Sequence, residues 1–201
     1  IMGINKNAIV KRIYNPIQAN KSNKIENIEK NNYYLFVGRL SKEKGTELFC
    51  EAITKLGYKG IVVGDGKEKE RLTKKYRNIE FAGWKNHNEI MKYMKKARGL
   101  VFPSLWYECA PLTPLEALAI GLPCIVSNKC AAIEFIEENV TGISFERNSV
   151  ESLVDKIRIC EDNEFLKKLS ENAYKKYWES PFDINRYKIE LEKFYREALN
   201  K

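Results

Sequence analysis

Tyr33-Tyr34-Leu35-Phe36-Val37-Gly38 decides the fold. Five apolar residues in an unbroken run, closed by a glycine, read as a strand buried on both faces. Such strands belong to parallel sheets covered by helices. Thr46 to Leu56 follows with apolar residues at 48, 49, 52, 53 and 56, which is helical spacing. Gly60-Ile61-Val62-Val63-Gly64 is a second buried strand. The alternation continues with strands at 79–83, 99–103, 123–127 and 142–145, and helices over 68–76, 88–97, 114–120 and 132–138. Helices at about 149–161 and 164–178 precede Pro181, and a last helix runs over about 183–199. Strand–helix alternation with short loops predicts an α/β domain built of right-handed βαβ units, here over residues 33–180. Upstream, residues 1–32 read as a lead-in or linker. In it Ala8-Ile9-Val10 is expected as a short strand, Tyr14-Asn15-Pro16 as a turn, and Gln18 to Asn32 as a polar connection.

Composition narrows the function classes. A chain of 201 residues, 44% hydrophobic and 31% charged, can bury a core and is not wholly disordered. No run approaches the ~18 apolar residues of a membrane span. The start, Ile1-Met2-Gly3-Ile4-Asn5-Lys6, does not read as a secretory signal. Five cysteines without a Cys-x-x-Cys pair, and one histidine, argue against a disulfide framework and a Cys/His zinc site, and a cytoplasmic setting is expected. The net charge of +8 is lopsided: residues 1–100 carry 22 Lys/Arg against 10 Asp/Glu, and the remainder 13 against 17. A basic half suits an anionic partner such as a phosphate-bearing ligand, an acidic membrane surface or a nucleic acid, and is equally read as plain surface solvation.

Ligands of open parallel sheets bind beyond the carboxyl ends of the strands. After the first strand comes Gly38-Arg39-Leu40-Ser41-Lys42-Glu43-Lys44-Gly45, then a helix. Glycine permits close backbone approach, a helix start favours anions, and Arg39 and Lys44 add two cations, which suits a diphosphate. The segment is not a Walker A loop. Gly64-Asp65-Gly66 lacks a dinucleotide fingerprint's third glycine and reads as a tight turn. After the fourth strand, Glu108 falls in an edge loop, and Glu116 eight residues on in the first turn of the next helix. A carboxylate there can accept hydrogen bonds from sugar or ribose hydroxyls. Glu116 has a second reading: Thr113-x-x-Glu116 with Pro114 at the first helical position forms a capping box. Cys109 lacks a nearby histidine, since His87 is the only one, so covalent cysteine catalysis is not favoured.

These blocks, in order, resemble the group 1 glycosyltransferases (glycosyltransferase family four). The resemblance rests on Gly38-Arg39-Leu40 with Lys44-Gly45, Gly64-Asp65-Gly66, Phe81-x-Gly83 and Phe102-Pro103-Ser104. It continues in Glu108 and Glu116 with Ala117-Leu118-Ala119-x-Gly121-x-Pro123, then Ile133-Glu134 and Thr141-Gly142. It covers about residues 33–146 and implies one half of a GT-B fold, the C-terminal donor-binding half. The expected fold is then a Rossmann-like parallel sheet of about six strands with helices on both faces. Residues 1–32 would lead in from an N-terminal domain outside this chain, and the helix in 181–201 would cross back to it.

By the same resemblance, Arg39, Lys44 and Glu108 are the catalytic set. The two cations would neutralise the diphosphate of a nucleoside-diphosphate sugar of UDP or GDP type, and Glu108 would hold donor-sugar hydroxyls. Glu116 would bind the ribose, Gly83 and Trp84 would cradle the base, and Gly38 would line the phosphate. Backbone groups at Cys109, Ala110, Pro111, Leu112 and Thr113 would touch phosphate or sugar. Neither a metal nor a cofactor is expected. The reaction would be retaining transfer of a hexosyl unit to a glycan or lipid-linked acceptor, as in polysaccharide or lipopolysaccharide biosynthesis, by a fragment inactive alone. A peripheral contact with the inner face of the membrane is compatible with that role. Cys109-Ala110 stands where many relatives carry an aromatic residue and glycine, and Ala131-Ala132 replaces a Gly-Gly turn. Another GT-B chemistry, an epimerase or phosphorylase, is the alternative. A nucleic-acid-binding role is disfavoured because no such motif is present.

Overall fold

The computed structural model describes residues 9–108 and 110–199. Its centre is a six-stranded, wholly parallel sheet in the order β3-β2-β1-β4-β5-β6. The strands are β1 (Tyr33–Val37), β2 (Lys59–Val63), β3 (Ile79–Gly83), β4 (Gly99–Phe102), β5 (Cys124–Ser127) and β6 (Gly142–Phe145). Every residue of β1, β4 and β5 is buried, as the unbroken apolar runs require. The helices are α1 (Thr46–Leu56), α2 (Lys69–Lys75), α3 (His87–Lys95), α4 (Leu112–Ile120), α5 (Val150–Ile159), α6 (Asn163–Glu179) and α7 (Ile184–Leu199). Helix α1 packs on α5 and α4 on α6, so both faces of the sheet are covered. The Rossmann-like α/β fold expected from the sequence is the fold observed.

Strand order reverses between β1 and β4, and the loops leaving these two strands open a crevice at the carboxyl edge. Two glycines let the loops close on one another. A Cβ on Gly45 (φ +67) would come within 2.1 Å of the Pro103 carbonyl, and one on Gly64 (φ +142) within 1.9 Å of the Gly38 carbonyl. The Gly64-Asp65-Gly66 segment is a turn, with Asp65 accepting from the Gly66 amide at 2.8 Å and from Lys69 at 2.6 Å.

Three local expectations need correction. Residues 132–138 form no α-helix: a 3-10 turn over Ala131–Phe135 gives way to extended Ile136, and Glu138 bridges to Gly142. The Thr141 hydroxyl accepts from the Glu137 amide at 2.8 Å, holding the chain in that return to β6. Ile9 and Val10 carry no strand, and Ala8 lies outside the described residues. The polar stretch 18–32 is packed on the domain: Ile25 and Ile28, with Ile17 just before them, enter the core. The Ile25 amide donates to the Ile120 carbonyl at 2.9 Å, so three isoleucines among the polar residues tie the stretch down.

Arg98, 7% exposed, donates to the carbonyls of Cys160 and Glu29 and to Asn163 Oδ1. It thereby joins the α5–α6 corner to the entry segment. The entry and exit segments meet: the Ile17 amide donates to the Phe182 carbonyl at 2.8 Å, and Tyr14, Phe135 and Phe182 pack edge to face. No helix among the described residues is long and apolar enough to cross a membrane. Cys50, Cys124, Cys130 and Cys160 are buried free thiols. Burial pushes Cys130 up to about 11, far from a reactive thiolate.

Candidate functional site

A cleft of about 390 Å³ lies over the carboxyl ends of β1 and β4. Gly38, Arg39 and Lys44 line it from the loop after β1, Glu108 from the loop after β4, and Pro111, Leu112 and Thr113 from the start of α4. Phe36 and Phe102 form part of its wall. The topology thus brings together residues up to 77 positions apart, counted from Phe36 to Thr113.

Lys44 Nζ sits 2.6 Å from Glu108 Oε2, and both side chains are largely buried. The other carboxylate oxygen of Glu108 accepts from the Ser104 hydroxyl at 2.7 Å. Glu108 is therefore a fixed acceptor rather than a free loop carboxylate. Arg39 is far more exposed and lies 3.3 Å from Glu43. Glu43 accepts from the Ser41 hydroxyl at 2.6 Å, which with Arg39 nearby holds its carboxyl below the usual range. The cleft thus pairs an exposed rim cation with a largely buried one.

The capping-box reading of Thr113 and Glu116 does not hold. Helix α4 starts earlier, at Leu112, with Pro111 as the capping residue and no side-chain cap. Pro111 is extended (φ −67, ψ 126), and this conformation starts the helix two residues before Pro114. Glu116 then lies in the second turn, outside capping range, and its ligand reading remains. It faces a neighbouring groove of about 460 Å³ between α3 and α4, not the cleft that Glu108 lines. Burial raises the Glu116 carboxyl and nearby His87 lowers it.

Gly83 and Trp84 leave β3 at the same edge without lining the cleft, and the Trp84 side chain is exposed. Ala110 adopts φ +52, a left-handed conformation that favours glycine. Cys109 lies outside the described residues. Among the described residues no group of three His, Cys, Asp or Glu is placed to hold a metal ion.

Two features escaped the sequence reading. Glu134 is held well below the usual carboxylate range by hydrogen bonds from Tyr107, Tyr14 and Arg12. These donors come from the site loop and the entry segment, so only the fold unites them. His87 is the first residue of α3, beside Glu116. The capping pattern of Asn86 with Glu89 was the available signal for that helix start.

Comparison with known proteins bears on the family and the fold. The chain is 30% identical over 168 residues to the UDP-Gal:alpha-D-GlcNAc-diphosphoundecaprenol alpha-1,3-galactosyltransferase of Escherichia coli, covering 76% of this chain and 43% of that one. The structure of HepE from Anabaena in complex with UDP superposes with a TM-score of 0.80 at 21% identity, over 93% of this chain and 57% of that one. The C-terminal domain of the group 1 family protein LpcC from Francisella tularensis superposes with a TM-score of 0.67 at 23% identity, over 86% of this chain and 97% of that domain. The chain spans somewhat less than half the length of the first curated relatives it matches. The family model for glycosyl transferases group 1 matches residues 18–176, and the chain belongs to that family.

Proposed function

We propose that this chain is the donor-binding domain of a retaining glycosyltransferase, taking a nucleoside-diphosphate sugar of UDP or GDP type. The observation that carries the reading is the convergence of Arg39, Lys44, Glu108 and Thr113 on one cleft at the strand-order reversal. The diphosphate lies between Arg39, Lys44 and the amides that begin α4, and the two cations stabilise the departing nucleoside diphosphate. Glu108 holds donor-sugar hydroxyls and Glu116 the ribose, with the base beyond it near Gly83 and Trp84. No side chain here is needed as a nucleophile, and the leaving phosphate takes the acceptor proton.

The acceptor is a glycan or lipid-linked saccharide, bound by a second domain for which the adjoining entry and exit segments are the crossing points. The reading of a UDP donor is supported by the UDP complex of HepE, and that of a lipid-linked acceptor by the named activity of the Escherichia coli relative. We place the protein in the cytoplasm, with its basic half toward an acidic membrane surface.

Thermal unfolding against UDP, GDP, ADP, CMP and NAD tests this. Ligand at a hundredfold excess over its dissociation constant adds about 2.7 kcal/mol, or about 5–11 °C for a chain of this size. A shift with one diphosphate names the base. A shift that survives Arg39→Ala and Lys44→Ala together overturns the site.

A further inference from the structure

The groove between α3 and α4 holds the chain's single histidine. His87 Nδ1 lies 3.4 Å from Glu116 Oε1, and the Glu116 side chain is only 17% exposed. An ionised carboxylate offers both oxygens as acceptors to two vicinal hydroxyls, and burial works against that form. The backbone at His87 is held by the helix cap. His87 follows Asn86, whose side chain accepts from the Glu89 amide at 3.0 Å while Glu89 accepts from the Asn86 amide at 3.0 Å. A helix start disfavours a cation, and the facing carboxylate offsets that.

Other groups around the pair do not take over this role. From α3, Lys92 and Lys95 reach the groove, with Lys95 held by Asn23 at 2.8 Å, and Glu89 is turned back on its own cap. The entry segment offers uncharged Gln18, Asn20 and Asn23. Helix α4 brings no charge but Glu116. Helix α6 brings the phenol of Tyr177, within electrostatic reach of Glu116.

We propose that His87 is a positioning residue for Glu116, holding that carboxylate ionised and aimed at the ribose hydroxyls of a bound nucleotide as the pH falls. This rests on the donor-domain reading above. A cationic imidazole 3.4 Å from the carboxylate favours its ionised form, against the burial that disfavours it. The pair therefore extends nucleotide binding into mildly acid conditions.

Two measurements on the whole chain test the proposal. The first follows the side-chain carboxyl carbon of Glu116 by NMR, assigned through its loss in Glu116→Gln. Its titration midpoint is expected to rise in His87→Ala, and an unchanged midpoint overturns the proposal. The second measures UDP and GDP dissociation constants at pH 7.5 and 5.5 for wild type, His87→Ala and His87→Gln. His87→Ala is expected to lose at least about threefold more affinity on acidification than wild type. His87→Gln, which can donate but cannot charge, is expected to match wild type at pH 7.5 and His87→Ala at pH 5.5. Full rescue by Gln at both pH values marks a merely structural role and overturns the proposal. If wild type binds neither nucleotide, the donor-domain reading itself fails and takes this inference with it.

Discussion

Lys44 of the loop after β1 and Glu108 of the loop after β4 are joined at 2.6 Å, with 22% and 18% of their side chains exposed. The cation assigned to the diphosphate and the carboxylate assigned to the sugar are each other's partner. A diphosphate must therefore compete with Glu108 for Lys44. Glu108→Gln is expected to tighten binding of a free nucleoside diphosphate by about 1 kcal/mol, because a neutral amide releases the cation. Lys44→Met is expected to weaken it by about 1.5–3 kcal/mol. Isothermal titration with UDP and GDP decides, and weaker binding by Glu108→Gln refutes the competition.

Ala110 pays for its left-handed backbone, φ +52, in the segment that delivers the chain to α4. A non-glycine residue there is strained by about 1–2 kcal/mol, and glycine's extra unfolded-state freedom returns part of that. Ala110→Gly should raise stability by up to ~1 kcal/mol in urea unfolding. A loss of stability would mean that the methyl group packs usefully.

Glu47 is held at about 2 by hydrogen bonds from Arg71 and Lys75, against an unfolded value of 4.5. A depressed carboxyl stabilises the fold above pH 4.5, and that contribution disappears as the pH falls toward 2. The groups are substantially exposed, so salt screens the effect. Glu47→Gln should flatten the decline in stability between pH 4.5 and 2, and the flattening should shrink in 1 M NaCl. An unchanged acid slope would remove Glu47 from the account.

Arg98 is the buried junction between the α5–α6 corner and the entry segment. Arg98→Met leaves the carbonyls of Cys160 and Glu29 without their donor, at a cost of about 2–4 kcal/mol. Chemical denaturation measures it. Hydrogen exchange should show residues 25–31 opening first, and protection there equal to wild type would argue that the isoleucines alone hold the segment.

Much of the architecture was legible in order along the chain. Strands buried on both faces are largely apolar, so β1, β4 and β5 announced themselves, and the shorter apolar runs of β2, β3 and β6 were placed to within one residue. Glycines after β1 and β2, and the cations after β1, marked the edge at which a ligand binds. Gly38, Arg39, Lys44, Glu108 and Thr113 could be named because strand ends in a parallel sheet share that edge. What pairs with what was decided only by tertiary structure. No local pattern says that Lys44 meets Glu108, that three donors from two segments converge on Glu134, or that His87 faces Glu116. The first depends on strand order, which brings β4 beside β1, and the others on how the entry segment and helices pack on the sheet. The start of α4 was misplaced for a similar reason: a capping box is a local pattern, and the backbone at Pro111 began the helix before it. That the polar stretch 18–32 packs on the domain was not legible, because composition averages over side chains, while burial of Ile25 and Ile28 depends on the shape of the domain that receives them.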